Sequence, residues 1–90
     1  DEGLKALSAR VVRAAPNDDA ANHMRALVLN GRCVGWEVGP RSAAELREAA
    51  THFDRCAALC NAPAVKAGLT RRAGECRSQA LEAGKALAGP

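Results

Sequence analysis

Apolar residues recur three and four positions apart in four stretches of this chain, and turn-forming residues separate the stretches. Leu4, Leu7, Val11 and Ala15 make the first stripe, which predicts an amphipathic helix over about 3–15. Pro16 ends it, because a proline lacks the N–H that a helix interior needs. Asn17, Asp18 and Asp19 then offer an N-cap and first-turn carboxylates, which satisfy open N–H groups and suit the positive end of the next helix dipole. The second helix is expected over about 18–34. Its buried face is ambiguous, since Ala26-Leu27-Val28-Leu29 is apolar without a break. Ala21, Met24, Val28 and Gly31 define one stripe; Asn22, Ala26, Leu29 and Cys33 define another. A helix apolar most of the way round is contacted on two sides, so this one is expected to be central.

Gly35 to Pro40 breaks the helical rhythm with two glycines and a proline around Trp36, predicting a loop over about 35–41. Two readings of Trp36 stay open, a plug folded onto a small core or an exposed anchor for a partner. Ser42-Ala43-Ala44-Glu45 has the spacing of a capping box. The third helix is therefore placed at about 43–60, with Leu46, Ala49, Ala50, Phe53, Cys56, Ala57 and Cys60 as its apolar stripe. Asn61-Ala62-Pro63 turns the chain into a fourth helix over about 62–88, whose stripe runs from Val65 through Leu69, Ala73, Cys76, Ala80 and Ala83 to Leu87. Gly68, Gly74 and Gly84 each weaken that helix by up to about 1 kcal/mol relative to alanine, so packing must stabilise it. Gly89-Pro90 stops it. The expected fold is one all-α domain over 1–90, about four helices arranged as two antiparallel helix-turn-helix units.

Ala49, Phe53 and Cys56, followed by Pro63, give a small-large-small spacing on the second helix of a hairpin with a proline beyond it. This resembles the B helix of a tetratricopeptide (TPR) repeat and its closing proline. Val11-Val12, Pro16, Asn17 and Asp18 are similar to the end of an earlier B helix, which would make the second helix an A helix and the fourth a further A or capping helix. The resemblance covers about half the chain. The chain departs from the family in lacking an aromatic early in helix A, in the distance from Pro16 to Pro63, and in its long loop before Arg41. An armadillo- or HEAT-like pair and an unrelated four-helix bundle stay open as alternatives. The resemblance implies a small right-handed helical array that binds peptides or neighbouring subunits without doing chemistry. The faces to be lined are then Asn22, Arg25, Leu29 and Arg32 on the second helix and Lys66, Thr70 and Arg77 on the fourth, with Trp36 beside them. Such residues suit an acidic peptide segment or a carboxylate terminus, or the subunits of a larger assembly.

Composition narrows the function classes. Ninety residues with only Trp36 and Phe53 as aromatics bury a modest core, because stability follows apolar area at about 25 cal/mol per Å². Support from a partner or from further chain is therefore expected. The chain starts at Asp1 without Met, which suggests processing or a longer parent. Net charge is +3, with acidic and basic residues interspersed as on a solvated helix face. No aromatics interleave the Arg71-Arg72 and Arg77 patch, so nucleic acid is not the expected partner. No apolar run reaches the roughly 20 residues of a membrane span. The expectation is a soluble intracellular protein, or an organellar one after loss of a targeting peptide, with compartment otherwise unknown. No phosphate loop, nucleophile elbow or HExxH motif occurs, so the chain is expected to be no enzyme and to carry no cofactor. The alternative is a metal-binding or redox module built on His52, Cys56, Cys60 and Cys76, the first three spaced four apart along one helix. Their straight spacing lacks the paired knuckle of a structural zinc site, and buried cysteine also serves as a small apolar residue.

Overall fold

The structure, a computed structural model, describes residues 2–31 and 41–88, and the side chains of 3–31 and 41–85. It is all-α: α1 Glu2–Ala14, α2 Asp19–Leu29, α3 Ala43–Leu59 and α4 Pro63–Ala88, with no strand among the described residues. Arg32, Cys33, Trp36, most of the predicted loop and the Gly89-Pro90 stop lie outside them.

The helix starts follow from local chemistry. Asp18 caps α2, its carboxylate accepting the Ala21 N–H at 2.8 Å. At α3 the capping box is complete: Ser42 Oγ accepts the Glu45 N–H at 3.1 Å, and Glu45 Oε1 accepts the Ser42 N–H at 3.0 Å. Pro63 is the first residue of α4, where its fixed φ fits and its missing N–H costs nothing.

Helix α2 stops at Leu29, five residues before the predicted Val34. Asn30 is its C-cap, Gly31 follows with φ 78°, and the Gly31 N–H reaches Val28 O at 3.3 Å. A glycine in the left-handed region just past a helix turns the chain away and satisfies an open carbonyl. The periodic pattern ran through this signal because Gly31 also fitted one of the two apolar stripes.

The helices pack in chain order, α1 on α2, α2 on α3 and α3 on α4. The α1–α2 and α3–α4 pairs are joined by short turns at 15–18 and 60–62. Extents of 44 × 29 × 23 Å reflect α4, whose 26 residues make a rod about 39 Å long. Both α2 and α3 are contacted on two flanks, and the core centres on α3 rather than on α2 alone. Phe53 is fully buried there, in a cluster with Ala26 and Leu29 of α2, Ala49 and Ala50 of α3, and Ala73 and Cys76 of α4. Both candidate stripes of α2 are used: Ala21 and Val28 are buried from one, Asn22, Ala26 and Leu29 from the other. Alanine supplies half of the buried apolar side chains among the described residues, which lets helices approach closely but buries little area per residue.

Two stripes differ from expectation. On α1 the buried positions are Ser8 and Val12, while Leu7 stays 42 % exposed. The helix is rotated so that Ser8 faces polar groups on α2. On α4, Ala73, Cys76 and Ala80 are buried as predicted, but Val65 is exposed. The glycines of α4 are not there for close contact, since a Cβ on Gly68, Gly74 or Gly84 would meet nothing within 4 Å. Opposite effects are therefore expected from one substitution type. Gly74→Ala should raise stability by about 0.5–1 kcal/mol, as helix propensity improves without a clash. Gly31→Ala should lower it by about 1–2 kcal/mol, the cost of a left-handed L-residue. Urea unfolding of both variants checks the pair.

Candidate functional site

A polar seam joins the first three helices. Asn22 is fully buried. Its Nδ2 donates to Pro16 O and to Asp18 O, each at 2.9 Å, which holds the turn before α2 against the helix. Two carbonyl acceptors on one side fix the amide, so Oδ1 faces His52 Nδ1 at 2.9 Å. An oxygen acceptor there requires a proton on Nδ1, so Nε2 donates to Glu48 only when the ring is the doubly protonated imidazolium. His52 Nε2 lies 3.2 Å from Glu48 Oε2, and Arg25 Nε donates to the same oxygen at 3.1 Å. Arg25 Nη1 donates to Lys5 O at 2.8 Å and to Ser8 Oγ at 3.1 Å. Lys5 in turn bridges from α1 to Glu45 of α3 at 2.6 Å.

Burial lowers the His52 pKa from its ordinary value, against the opposing pull of Glu48. Burial alone would raise Glu48, but hydrogen bonds from His52 and Arg25 outweigh it and hold the carboxyl below its ordinary range. Glu45 is held at about 2, chiefly by the hydrogen bond from Lys5 and then by the Ser42 N–H. All three folded-state values lie below the unfolded ones. Each group therefore contributes stability above its unfolded pKa, and that contribution is lost as pH falls toward the folded value. Stability should decline in two stages on acidification, a first below about pH 6.5 from His52 and a second below about 4.5 from Glu48 and from Glu45, whose share runs down to about 2. Thermal melts across that range test this. Glu45→Gln should flatten the acid stage and leave the His52 stage in place.

Open clefts flank the seam. One of about 590 Å³ lies between α1 and α3, with Arg13, Arg25, Thr51, His52 and Arg55 among its walls and Ala9, Val12 and Pro16 as its apolar part. A second of about 560 Å³ lies between α2 and α4, bounded by His23, Leu27, Arg72, Glu75 and Gln79 among others. His23 meets Phe53 edge-on at 6.2 Å between ring centroids, and its buried Nε2 has no hydrogen-bond partner among the described residues.

The predicted binding residues do not share one face. Asn22 and Leu29 are interior and serve the fold, so neither can line an open groove. Arg25 is mostly buried in the seam and faces the α1/α3 cleft. Lys66 and Thr70 are exposed on α4, outside both clefts. Arg77 is exposed and paired with Asp54 of α3. Arg32 and Trp36 fall outside the described residues. Helices α2 and α4 do border a cleft, but in a register that presents His23, Leu27 and Arg72.

The alternative metal set is not assembled. Among the described residues no group of three or more His, Cys, Asp or Glu side chains is placed to hold an ion. His52 is engaged by Asn22 and Glu48. Cys56 Sγ donates to Asp19 O at 3.6 Å, and Cys60 Sγ to Ala62 O at 3.6 Å. Cys76 is buried against Phe53's cluster. Burial, then Asp19, pushes the Cys56 thiol up to about 12, which keeps it protonated and unreactive.

Sequence reasoning missed the seam, because its long-range bonds join residues 17 to 40 positions apart. The local signal was Asn22 itself, a polar residue four positions after the N-cap on an otherwise apolar stripe. No family model, curated protein or solved structure matches this chain.

Proposed function

We propose that this chain is a non-catalytic, TPR-like protein-interaction scaffold, or an accessory subunit of a larger assembly, that holds an acidic peptide segment or a neighbouring subunit. The observation behind this reading is packing in chain order with open clefts between alternate helices, the arrangement by which helical arrays present grooves. Exposed Val65 and Leu81 on α4, which among the described residues packs on α3 alone, add apolar surface for a neighbour. No described helix is long and apolar enough to cross a membrane. For the metal alternative, no group of three or more His, Cys, Asp or Glu among the described residues is placed to hold an ion.

The test is capture of partners from the native source, followed by reconstitution from purified components and sedimentation analysis. A defined stoichiometric complex is expected. Failure of every captured protein to re-form a complex with the purified chain would contradict the scaffold reading.

A further inference from the structure

We infer that the cleft between α1 and α3 is a carboxylate-binding site for an acidic peptide segment, with Arg25 as a fixed guanidinium and Arg13 and Arg55 closing from opposite walls. The inference rests on the scaffold reading and names its site and ligand chemistry.

Three observations carry it. First, Arg25 is pre-organised: its side chain is 12 % exposed, and Nε and Nη1 are held by Glu48, Lys5 O and Ser8 Oγ. Among the described residues Nη2 is the remaining part of the fork, with no hydrogen bond of its own, on a side chain that borders the cleft. A guanidinium fixed before binding loses little conformational freedom when an oxyanion arrives.

Second, the charges do not cancel. Arg13 on α1 and Arg55 on α3 are exposed cleft residues with no ion pair or hydrogen bond among the described residues. The one carboxylate in the lining, Glu48, is already engaged by Arg25 and His52. The field in the cleft is therefore positive, which favours an anionic ligand.

Third, size and polarity suit a peptide better than a small inorganic anion. A volume of about 590 Å³ with an apolar part formed by Ala9, Val12 and Pro16 can cover the methylene stems of glutamate side chains while their carboxylates meet guanidinium forks. Planar, bidentate pairing with carboxylate is open to Arg13 and Arg55, while Arg25 contributes Nη2 alone.

The test uses fluorescein-labelled hexaglutamate in anisotropy titrations at low and moderate salt. Arg13→Glu/Arg55→Glu should weaken binding by at least about tenfold, the usual effect of losing one charge-assisted contact. Lys66→Glu/Arg71→Glu on α4, outside both clefts, makes the same change in net charge and should alter binding by less than about twofold, because separated surface charges are screened. All four side chains are exposed, and circular dichroism verifies that each variant keeps its helices. Equal weakening by both pairs, or greater weakening by the α4 pair, would overturn the cleft assignment and leave the scaffold reading standing. Full displacement of the peptide by an equal concentration of inorganic phosphate would mark a simple anion site and overturn the peptide inference. Absence of hexaglutamate binding at low salt would overturn it as well, while partner reconstitution judges the scaffold reading separately.

Discussion

Phe53→Ala is expected to cost about 3–5 kcal/mol, roughly a fifth or more of the stability of an ordinary domain this size. Among the described residues Phe53 is the largest fully buried side chain, and its cluster neighbours on all three helices are mainly alanines. Small neighbours offer few atoms that can move into the vacated space, so the cavity term should be near its maximum. Because the cluster draws on α2, α3 and α4 together, the variant should lose cooperativity as well as midpoint in urea. Phe53→Leu, which keeps most of the volume, should lose less than half as much. A Phe53→Ala variant that unfolds within about 1 kcal/mol of the parent would show that the core lies elsewhere.

Asn22→Leu is the second large effect, expected to cost about 2–5 kcal/mol. Leucine matches asparagine in branching and heavy-atom count but carries bulkier methyls, so the loss would combine stranded polar groups with crowding of a fully buried site. It leaves the His52 Nδ1–H and Pro16 O without partners inside the protein, each costing about 1–3 kcal/mol. Asp18 O is spared, since it also accepts the backbone N–H of residue 22 at 3.1 Å. Replacing His52 by phenylalanine in the same background removes one of the orphaned groups. A double-mutant cycle on Asn22→Leu and His52→Phe should therefore give a coupling of about 0.5–3 kcal/mol. Additive losses would mean that the two side chains do not touch.

Much of this fold was legible because helix ends are written in local chemistry. Pro16 with Asp18, Ser42 with Glu45, and Pro63 marked ends and starts that the structure places within a few residues. Gly31 was the exception: a stop signal that also occupied a stripe position, so periodicity outvoted it. The site was far less legible. Asn22 and Arg25 were assigned to a groove because the repeat resemblance makes the second helix an A helix with an inner, ligand-facing side. Instead, the turn carbonyls of Pro16 and Asp18, and Glu48 and His52 on another helix, drew them inward. Nothing within a window of one or two turns reports such partners. The rotation of α1 toward Ser8 escaped notice for the same reason, since a buried serine has meaning only once Arg25 is opposite it. Arg13 and Arg55 gave no signal either, because only the stacking of α1 and α3 across α2 turns two ordinary surface cations into the walls of one cleft.

The claim on which the rest depends is that α3 sits between α2 and α4 in a stack that follows chain order. Nuclear Overhauser contacts from the Phe53 ring, in a sample with labelled methyl groups, test it most directly. The account predicts contacts to Ala26 or Leu29 on α2 and, in the same spectrum, to Leu69 or Ala73 on α4. Contacts to one of these helices alone, or to methyls of α1 instead, would contradict it.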